Sequence, residues 1–356
     1  MAIASLALLS LPTMLQGQHY KETNLVSNVP GVAATTDLNL VNAWGVSRGT
    51  TTPWWVSDNG TGLTTLYTGT GSIVPLVVTI PAADSGSGTP TGQIFNGTQD
   101  FQLTPGNPAR FLFVTEDGTV SGWNPAVSPK TAVIKVNTHS ASVFKGMAVA
   151  TVDDSHGGSA NFLYVADFRK GRVNVYDTNF HLISMHDDDA FRDGKVPHGF
   201  APFNIQNIGG NLYVAWAKQD GAKHDEVDGA GLGFVSVFSP TGRLLHRLQW
   251  TKWFNAPWGI AQAPSDFGIY SHDILVGQFG SGQILAFDPV TGALKGTLND
   301  ASNNPITING LWGISFGSGG SSGPATTLYF AAGLNDEQDG LVGSITAIEN
   351  TLGGDI

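Results

Sequence analysis

The chain has 356 residues, a formal net charge of -11 and no cysteine. The absence of cysteine excludes disulfide bonds, cysteine-ligated zinc and thiol catalysis. The negative charge, without any basic run, argues against nucleic acid or an anionic membrane as a partner. Charged residues make up only 13% of the chain while glycine contributes 46 residues, a composition typical of short strands joined by tight turns.

The first residues predict a targeting segment. Residues 2–15 are apolar, and Gln16, Gly17 and Gln18 follow. This stretch is too short to span a membrane and is typical of the core of a signal peptide, although no Lys or Arg precedes it. We therefore expect residues 1–18 to be a leader and the protein to be secreted or periplasmic, without an integral membrane span. A disordered hydrophobic leader is the alternative.

In chain order, a predicted strand at about residues 20–29 comes first, and a repeated unit follows it. The clearest copy begins with Asn-Ala-Pro-Trp-Gly-Ile-Ala at 255–261 and continues with an apolar run, a polar turn and a second apolar run. Related units cover about residues 41–80, 91–136, 143–186, 200–249, 256–298 and 310–349. A repeat of roughly 50 residues with several short strands is typical of a β-propeller. Six copies predict an all-β, six-bladed β-propeller as a single domain over residues 20–349, with a C-terminal tail at 350–356.

The two ends of this domain are predicted to pair. The last copy stops after its third strand, near residues 343–348. An open propeller would leave the edges of its end strands unpaired. We therefore predict that the N-terminal strand, about residues 20–29, closes the ring by joining the last blade.

Propeller topology also predicts where a site would form. The first strand of each blade lines the channel, so the loop leading into it and the hairpin between strands two and three lie at the same end. A concave face with carboxylates, amides and aromatic rings is a default ligand site. Each position also has a structural alternative, because hairpins use Asp and Asn in turns and Trp packs between blades. The candidate ligand-binding residues are Trp44, Asp58, Asn59, Asp117, Arg169, Asn204, Lys218, Asp220, Trp258 and Trp312; Asp225 and Glu337 stand close by in longer hairpin tips.

Lys145 stands out because the corresponding positions of the other repeats carry aromatic residues or Thr. A lysine pointing into a narrow channel needs a carboxylate or a ligand, and Glu116 and Asp167 are the predicted partners. Lys145 and Glu116 are the candidate catalytic residues. Glu116, Asp167 and Asp336 are candidate ligands for Ca²⁺ or another divalent cation, which prefers oxygen ligands.

Several longer motifs carry a family resemblance. They include Val-Ser-Asp-Asn-Gly-Thr-Gly at 56–62, Thr-Glu-Asp-Gly-Thr-Val-Ser-Gly-Trp-Asn-Pro at 115–125, Phe-Ala-Pro-Phe-Asn-Ile-Gln at 200–206 and Gly-Leu-Trp-Gly at 310–313. With these motifs the chain resembles an uncharacterised, mostly bacterial family of exported NHL-type propellers, many with a PEP-type C-terminal sorting signal. The resemblance implies a six-bladed fold and export, but no activity. The chain ends at Ile356 without that signal, so we expect release rather than retention at the envelope.

A more distant resemblance is to gluconolactonase- and paraoxonase-type propellers, in which residues leading into the inner strands bind a divalent metal. Here those positions are Trp44, Thr91, Lys145, Phe203, Trp258 and Trp312, so most of that ligand pattern is absent. Two hypotheses stay open. The first is a binding propeller whose acidic and aromatic pocket takes a small molecule, glycan or extracellular protein, with or without a divalent cation. The second is a metal-dependent lactonase, ester hydrolase or lyase.

Overall fold

The computed structural model describes residues 19–153, 157–185 and 189–348. The predicted leader at 1–18 and the predicted tail at 350–356 lie outside the described residues. Within the described part, no helix is both long and apolar enough to cross a bilayer.

The strands of the first three blades follow one another in chain order. Two N-terminal strands precede them, β1 (Tyr20–Ser27) and β2 (Thr35–Thr36). Blade one contains β3 (Ala43–Ser47), β4 (Trp54–Asp58), β5 (Leu63–Tyr67) and β6 (Ile73–Thr79). Blade two contains β7 (Pro90–Phe95), the small hairpin β8 (Gln102–Thr104) and β9 (Asn107–Pro108), then β10 (Phe111–Thr115), β11 (Thr119–Trp123) and β12 (Val133–Asn137). Blade three contains β13 (Phe144–Asp153), β14 (Ser159–Asp167), β15 (Arg172–Tyr176) and β16 (Leu182–Ile183).

The remaining blades repeat this order with two short helical turns. Blade four contains β17 (Phe200–Ile208), β18 (Asn211–Gln219), the short β19 (Glu226–Val227), β20 (Gly233–Phe238) and β21 (Leu244–Arg247). Blade five contains β22 (Pro257–Gln262), a 3₁₀ turn (Gly268–Tyr270), β23 (Ile274–Gln278), β24 (Ile284–Phe287) and β25 (Leu294–Thr297). Blade six contains β26 (Leu311–Phe316), β27 (Leu328–Gly333), the turn α1 (Leu334–Glu337) and β28 (Asp339–Ala347).

The N-terminal strand completes blade six. β1 pairs antiparallel with β28, with Tyr20 opposite Ala347 and Ser27 opposite Leu341. The sheet order is β2-β1-β28-β27-β26, so β1 is the fourth strand of the last blade. The predicted six-bladed, all-β propeller and its closure by the N-terminal strand are both confirmed.

The repeated glycine explains how the blades close into a tight ring. Each inner strand packs against the inner strands of both neighbouring blades. A Cβ added to Gly45 would lie 2.5 Å from the carbonyl oxygen of Thr91, and one added to Gly313 would lie 2.6 Å from that of Trp44. Real Cβ atoms do not approach so closely, so Gly45 and Gly313 must be glycine for the backbones to meet. The hydrophobic clusters between the blades form the core around this ring.

Candidate functional site

The residue before the repeated glycine lies at the top of the channel, the end where each inner strand begins. Trp44 and Trp312 stack there with ring centroids 3.4 Å apart. Trp258 meets both rings edge-on at about 6 Å. The three tryptophans are at most 4% exposed and share one cluster with Phe168 and Phe203. They form a buried floor under the top face rather than an open stacking platform.

This floor contains polar atoms without partners. In the described part of the chain, the indole Nε1 atoms of Trp44, Trp258 and Trp312 have no hydrogen-bond acceptor. A buried donor that lacks an acceptor costs free energy. An acceptor that reached the floor would therefore find ready donors.

Lys145 lies on this floor and is fully buried. Its Nζ is 2.6 Å from Glu116 Oε1 and 3.2 Å from Asp225 Oδ1, and 4.8 Å from the centre of the Trp44 ring. The predicted ion pair between Lys145 and Glu116 is confirmed. The second carboxylate that contacts Lys145 is that of Asp225, in place of the predicted Asp167. Burial by itself lowers the pKa of Lys145, but the charges of Glu116, Glu226 and Asp225 outweigh it and raise the pKa above its ordinary value. The side chain therefore stays an ammonium ion at neutral pH.

Amide side chains connect the carboxylates around this lysine. Asn59 Nδ2 donates to Glu116 Oε2 at 2.9 Å. Asn42 Nδ2 donates to Glu337 Oε2 at 2.6 Å and lies 3.3 Å from Asn59 Oδ1. The resulting set, called the acidic rim below, comprises Asn42, Asn59, Glu116, His224, Asp225, Glu226 and Glu337. Its members come from the loop before β3 and from four hairpins between second and third strands, as the topology predicts.

The two remaining glutamates of the rim have raised pKa values. Burial raises the pKa of Glu226 to about 7, although Lys145 opposes this change. Burial also raises the pKa of Glu337, against the hydrogen bond from Asn42. For Asp225, burial is outweighed by Lys145 and His224, which lower its pKa. Lys145 and the rim together therefore provide a permanent cation, an ionised aspartate and a glutamate that titrates near neutral pH.

Unusual backbone conformations hold two rim residues in place. Asn42 has φ of 50° and Glu337 has φ of 65°, both in the left-handed region. Asn335 and Asp336 share that conformation, so α1 is a left-handed turn. Non-glycine residues adopt such angles only where the surroundings enforce them, often at functional sites.

The long hairpin of blade four carries three rim residues over the channel. Asp220 Oδ1 accepts the backbone N–H of His224 at 2.8 Å, and β19 places Glu226 opposite Gln219. His224 Nδ1 lies 2.8 Å from Asp225 Oδ1. Asp220, a predicted ligand residue, thus positions the hairpin.

Several predicted site residues are buried outside the rim. Asp167 is buried and accepts from Ser142 Oγ at 2.8 Å and Asn174 Nδ2 at 3.2 Å. Asp58 occupies the corresponding end of β4 and is also fully buried. Asn204 Nδ2 donates to the Trp258 carbonyl at 2.8 Å, which ties blade four to blade five.

The other predicted residues lie towards the outside. Asp117 Oδ2 accepts the backbone N–H of Ala83. Arg169 donates to the Ser140 carbonyl at 2.8 Å. Lys218 and Asp336 are exposed. The fold therefore brings Glu116 and Asn59 to Lys145. It does not bring Asp167 or Asp336 there.

Among the ionisable residues of the rim, His224 and Glu226 are not predicted from the sequence, and Asp225 and Glu337 are predicted only as neighbours. The signal lies in the hairpin of blade four, which is longer than its counterparts and carries His224, Asp225 and Glu226 consecutively. Single polar residues in loops are common. Only the combination of three consecutive ionisable residues with an unusually long hairpin points to a site.

Three rim residues have the geometry of a possible metal site. Ligand atoms of Glu116, His224 and Asp225 lie within 4.8 Å of one another. However, the Lys145 ammonium already contacts Glu116 and Asp225. A divalent cation at this position would have to compete with a positive charge for the same oxygens.

Comparison with solved structures supports the fold. The soluble aldose sugar dehydrogenase of Escherichia coli aligns with a TM-score of 0.53 and 13% identity, over 92% of this chain and 100% of that one. A streptogramin B lyase aligns with a TM-score of 0.52 and 11% identity, over 93% of this chain and 98% of that one. At such identities the likeness shows the six-bladed propeller alone.

Comparison by sequence identifies relatives in a mimivirus. No protein-family model matches the chain. The uncharacterized protein R648 of Acanthamoeba polyphaga mimivirus is 32% identical over 338 residues, which cover 92% of this chain and 80% of the relative. The uncharacterized protein L690 of the same virus is also 32% identical over 338 residues, covering 92% and 85% respectively. The chain therefore belongs to the same protein family as the mimivirus proteins R648 and L690.

Proposed function

We propose that the protein is a binding propeller whose acidic rim takes a small ligand rich in hydrogen-bond donors, such as a polyhydroxylated molecule or the end of a glycan. The observation that carries this proposal is the buried Lys145 ammonium held between Glu116 and Asp225. Glu226 and Glu337 add further carboxyl groups around it.

The balance of charge and hydrogen-bonding capacity supports this ligand class. One ammonium faces four carboxyl groups, and an ionised carboxylate can only accept hydrogen bonds. The Lys145 ammonium and the side-chain amides of Asn42 and Asn59 donate hydrogen bonds to only some of these carboxylate oxygens. A ligand at the rim must therefore bring donors, which hydroxyl or ammonium groups supply. An anionic ligand would be repelled by the excess negative charge.

We propose that this site can also hold a divalent cation. Glu116, His224 and Asp225 would be its ligands, in place of the predicted set of Glu116, Asp167 and Asp336. Carboxylate oxygens suit Ca²⁺ and the imidazole suits a transition metal. Export, which rests on the leader predicted at residues 1–18, likewise stays a proposal.

A second candidate function is acid–base catalysis, of the hydrolase or lyase kind. It is favoured by Glu226, whose pKa is raised to about 7, beside a lysine that stays charged. A group with a pKa near the working pH is suited to take and return a proton. Lys145 would stabilise negative charge developing on a substrate oxygen.

The test is a thermal-shift and calorimetric screen with monosaccharides, sugar alcohols, aldonolactones and polyamines. We expect at least one polyhydroxylated compound to stabilise the wild type and to lose affinity in Glu337→Gln. Asp336→Asn is the matched control, because Asp336 is the exposed neighbour outside the rim. No binding by any compound, or equal binding by Glu337→Gln and wild type, would refute the binding site. Turnover of a bound compound that Glu226→Gln abolishes would establish the catalytic function instead.

A further inference from the structure

A second cavity opens at the bottom mouth, the end of the channel where the inner strands finish. It has a volume of about 280 Å³. Its walls include Ser47, Gln93, Met147, Gln206 and Ile314 of five inner strands, and Arg48, which directly follows β3. Lys145 and the floor tryptophans come from the first residues of such strands. The bottom mouth is therefore separated from the acidic rim by the length of the channel.

Two buried polar atoms at the bottom mouth lack partners. Among the described residues, neither Gln93 Oε1 nor Ser47 Oγ has a hydrogen bond. The two residues are only 6% and 9% exposed. Gln93 Nε2 donates to the carbonyls of Gly45 and Trp55, each at 2.7 Å. These bonds hold the amide in one orientation, so Oε1 needs a donor from elsewhere.

Arg48 supplies a positive charge to the same cavity. Its Nε donates to the Phe316 carbonyl at 2.6 Å and its Nη2 to the Gly317 carbonyl at 3.0 Å. Among the described residues, these two bonds use two of the five guanidinium N–H donors, and the guanidinium carbon lies 5.8 Å from the centre of the Trp54 ring. Burial lowers the pKa of Arg48, and no carboxylate of the described part offsets this. An anion bound here would neutralise a partly desolvated charge.

We propose that the bottom mouth binds a small organic carboxylate that also carries a hydroxyl or amino donor. The carboxylate pairs with the Arg48 guanidinium, which favours planar carboxylates. The hydroxyl or amino group donates to Gln93 Oε1, and Ser47 Oγ completes the polar contacts. Met147 and Ile314 supply an apolar wall for a short hydrocarbon body. The cavity volume suits a compact acid and not an oligosaccharide.

The experiment is isothermal titration of the full-length protein with leucate, the α-hydroxy analogue of leucine. Isocaproate lacks the hydroxyl group and isoamyl alcohol lacks the carboxylate. We expect saturable leucate binding, and each analogue to bind at least about tenfold more weakly, as loss of one charge-assisted or buried hydrogen bond requires. Arg48→Gln is expected to weaken leucate binding by a similar factor or more.

Two exposed glutamines give a matched pair that does not disturb the core. Gln206 lines the cavity, whereas Gln262 occupies a comparable end of β22 and is not among the lining residues described. Gln206→Trp should block leucate binding, and Gln262→Trp should preserve it. Glu337→Gln, a change at the acidic rim, should also preserve it, which separates this site from the proposed function. Absence of leucate binding, or undiminished binding by Gln206→Trp, would overturn the proposal.

Discussion

Lys145 Nζ lies 2.6 Å from Glu116 Oε1, and the lysine side chain is completely buried. Removing either partner leaves a charge in a desolvated place. We expect Glu116→Gln and Lys145→Met each to lower the free energy of unfolding by about 3–5 kcal/mol. The double variant should lose clearly less than the sum of the two, because no unpaired charge remains from this pair. Urea unfolding of all four proteins measures this coupling, and strictly additive losses would contradict it.

The acidity of Glu226 predicts a pH dependence of stability. Its pKa is raised from 4.5 to about 7 in the folded protein. Between these values the unfolded chain has released the proton while the folded protein still holds it. The contribution of Glu226 to stability is therefore lost as pH rises from 4.5 to 7, on the order of 2 kcal/mol after allowance for screening.

Glu226→Gln is the variant that isolates this contribution. The difference in unfolding free energy between wild type and variant should change across pH 4.5 to 7 and stay constant above that window. The exposed Asp228→Asn, in the same hairpin, serves as the control and should leave the wild-type profile unchanged. A flat difference across the window would show that Glu226 titrates normally.

Competition between Lys145 and a metal ion gives a third prediction. The lysine ammonium contacts two of the three residues that could hold a cation. Lys145→Met removes that positive charge and frees both oxygens. We therefore expect Ca²⁺ or Mn²⁺ to raise the melting temperature of Lys145→Met more than that of the wild type. Equal shifts in both proteins, reversed equally by chelator, would place any bound ion away from Lys145.

The repeat architecture could be predicted because one position carries a strong steric constraint. A residue such as Gly45 or Gly313 has no room for a Cβ against the next inner strand, so the glycine recurs in five of the six blades. Ring closure by β1 followed from the missing strand of the last copy. These are local patterns that the chain repeats, and a single sequence displays them directly.

The site could be predicted only in part, because hairpin length and burial depend on the folded context. Topology correctly brought Glu116 to Lys145. Topology did not predict that Asp167 would be buried against Ser142 and Asn174. The sequence pattern of an aspartate at the end of a strand is the same whether its side chain points inward or outward. Nor did topology predict that Asp225 would reach across from the long hairpin of blade four.

Asn204 shows how one blade departs from the repeat, and this departure is testable. It occupies the position of the repeated glycine, and its Nδ2 donates to the Trp258 carbonyl. Asn204→Ala should lower the free energy of unfolding by about 1–3 kcal/mol, because that buried carbonyl loses its donor. Asn204→Asp should cost more, since a carboxylate would face the carbonyl. Ligand binding at the rim should survive Asn204→Ala, as measured by calorimetry; its loss would assign Asn204 a direct ligand role.

Tyr20 links ring closure to the hydrophobic core, so a change at this residue tests how far the fold depends on β1. The side chain is 1% exposed, its hydroxyl donates to the Phe267 carbonyl at 3.0 Å, and its ring packs against Phe267 and Tyr270. Tyr20→Ala leaves a cavity between blades and should lower the free energy of unfolding by about 3–5 kcal/mol. Tyr20→Phe removes only the hydrogen bond and should cost about 1 kcal/mol.

Lys21 is the neighbouring residue on the same strand and is exposed, so Lys21→Ala controls for changes in strand formation. Urea unfolding should rank the three variants with Tyr20→Ala least stable and Lys21→Ala close to wild type. Because β1 closes the ring by pairing with β28, loss of Tyr20 should also make unfolding less cooperative, with a smaller dependence on urea concentration. A Tyr20→Ala protein as stable and as cooperative as wild type would mean that the ring holds together without its N-terminal strand.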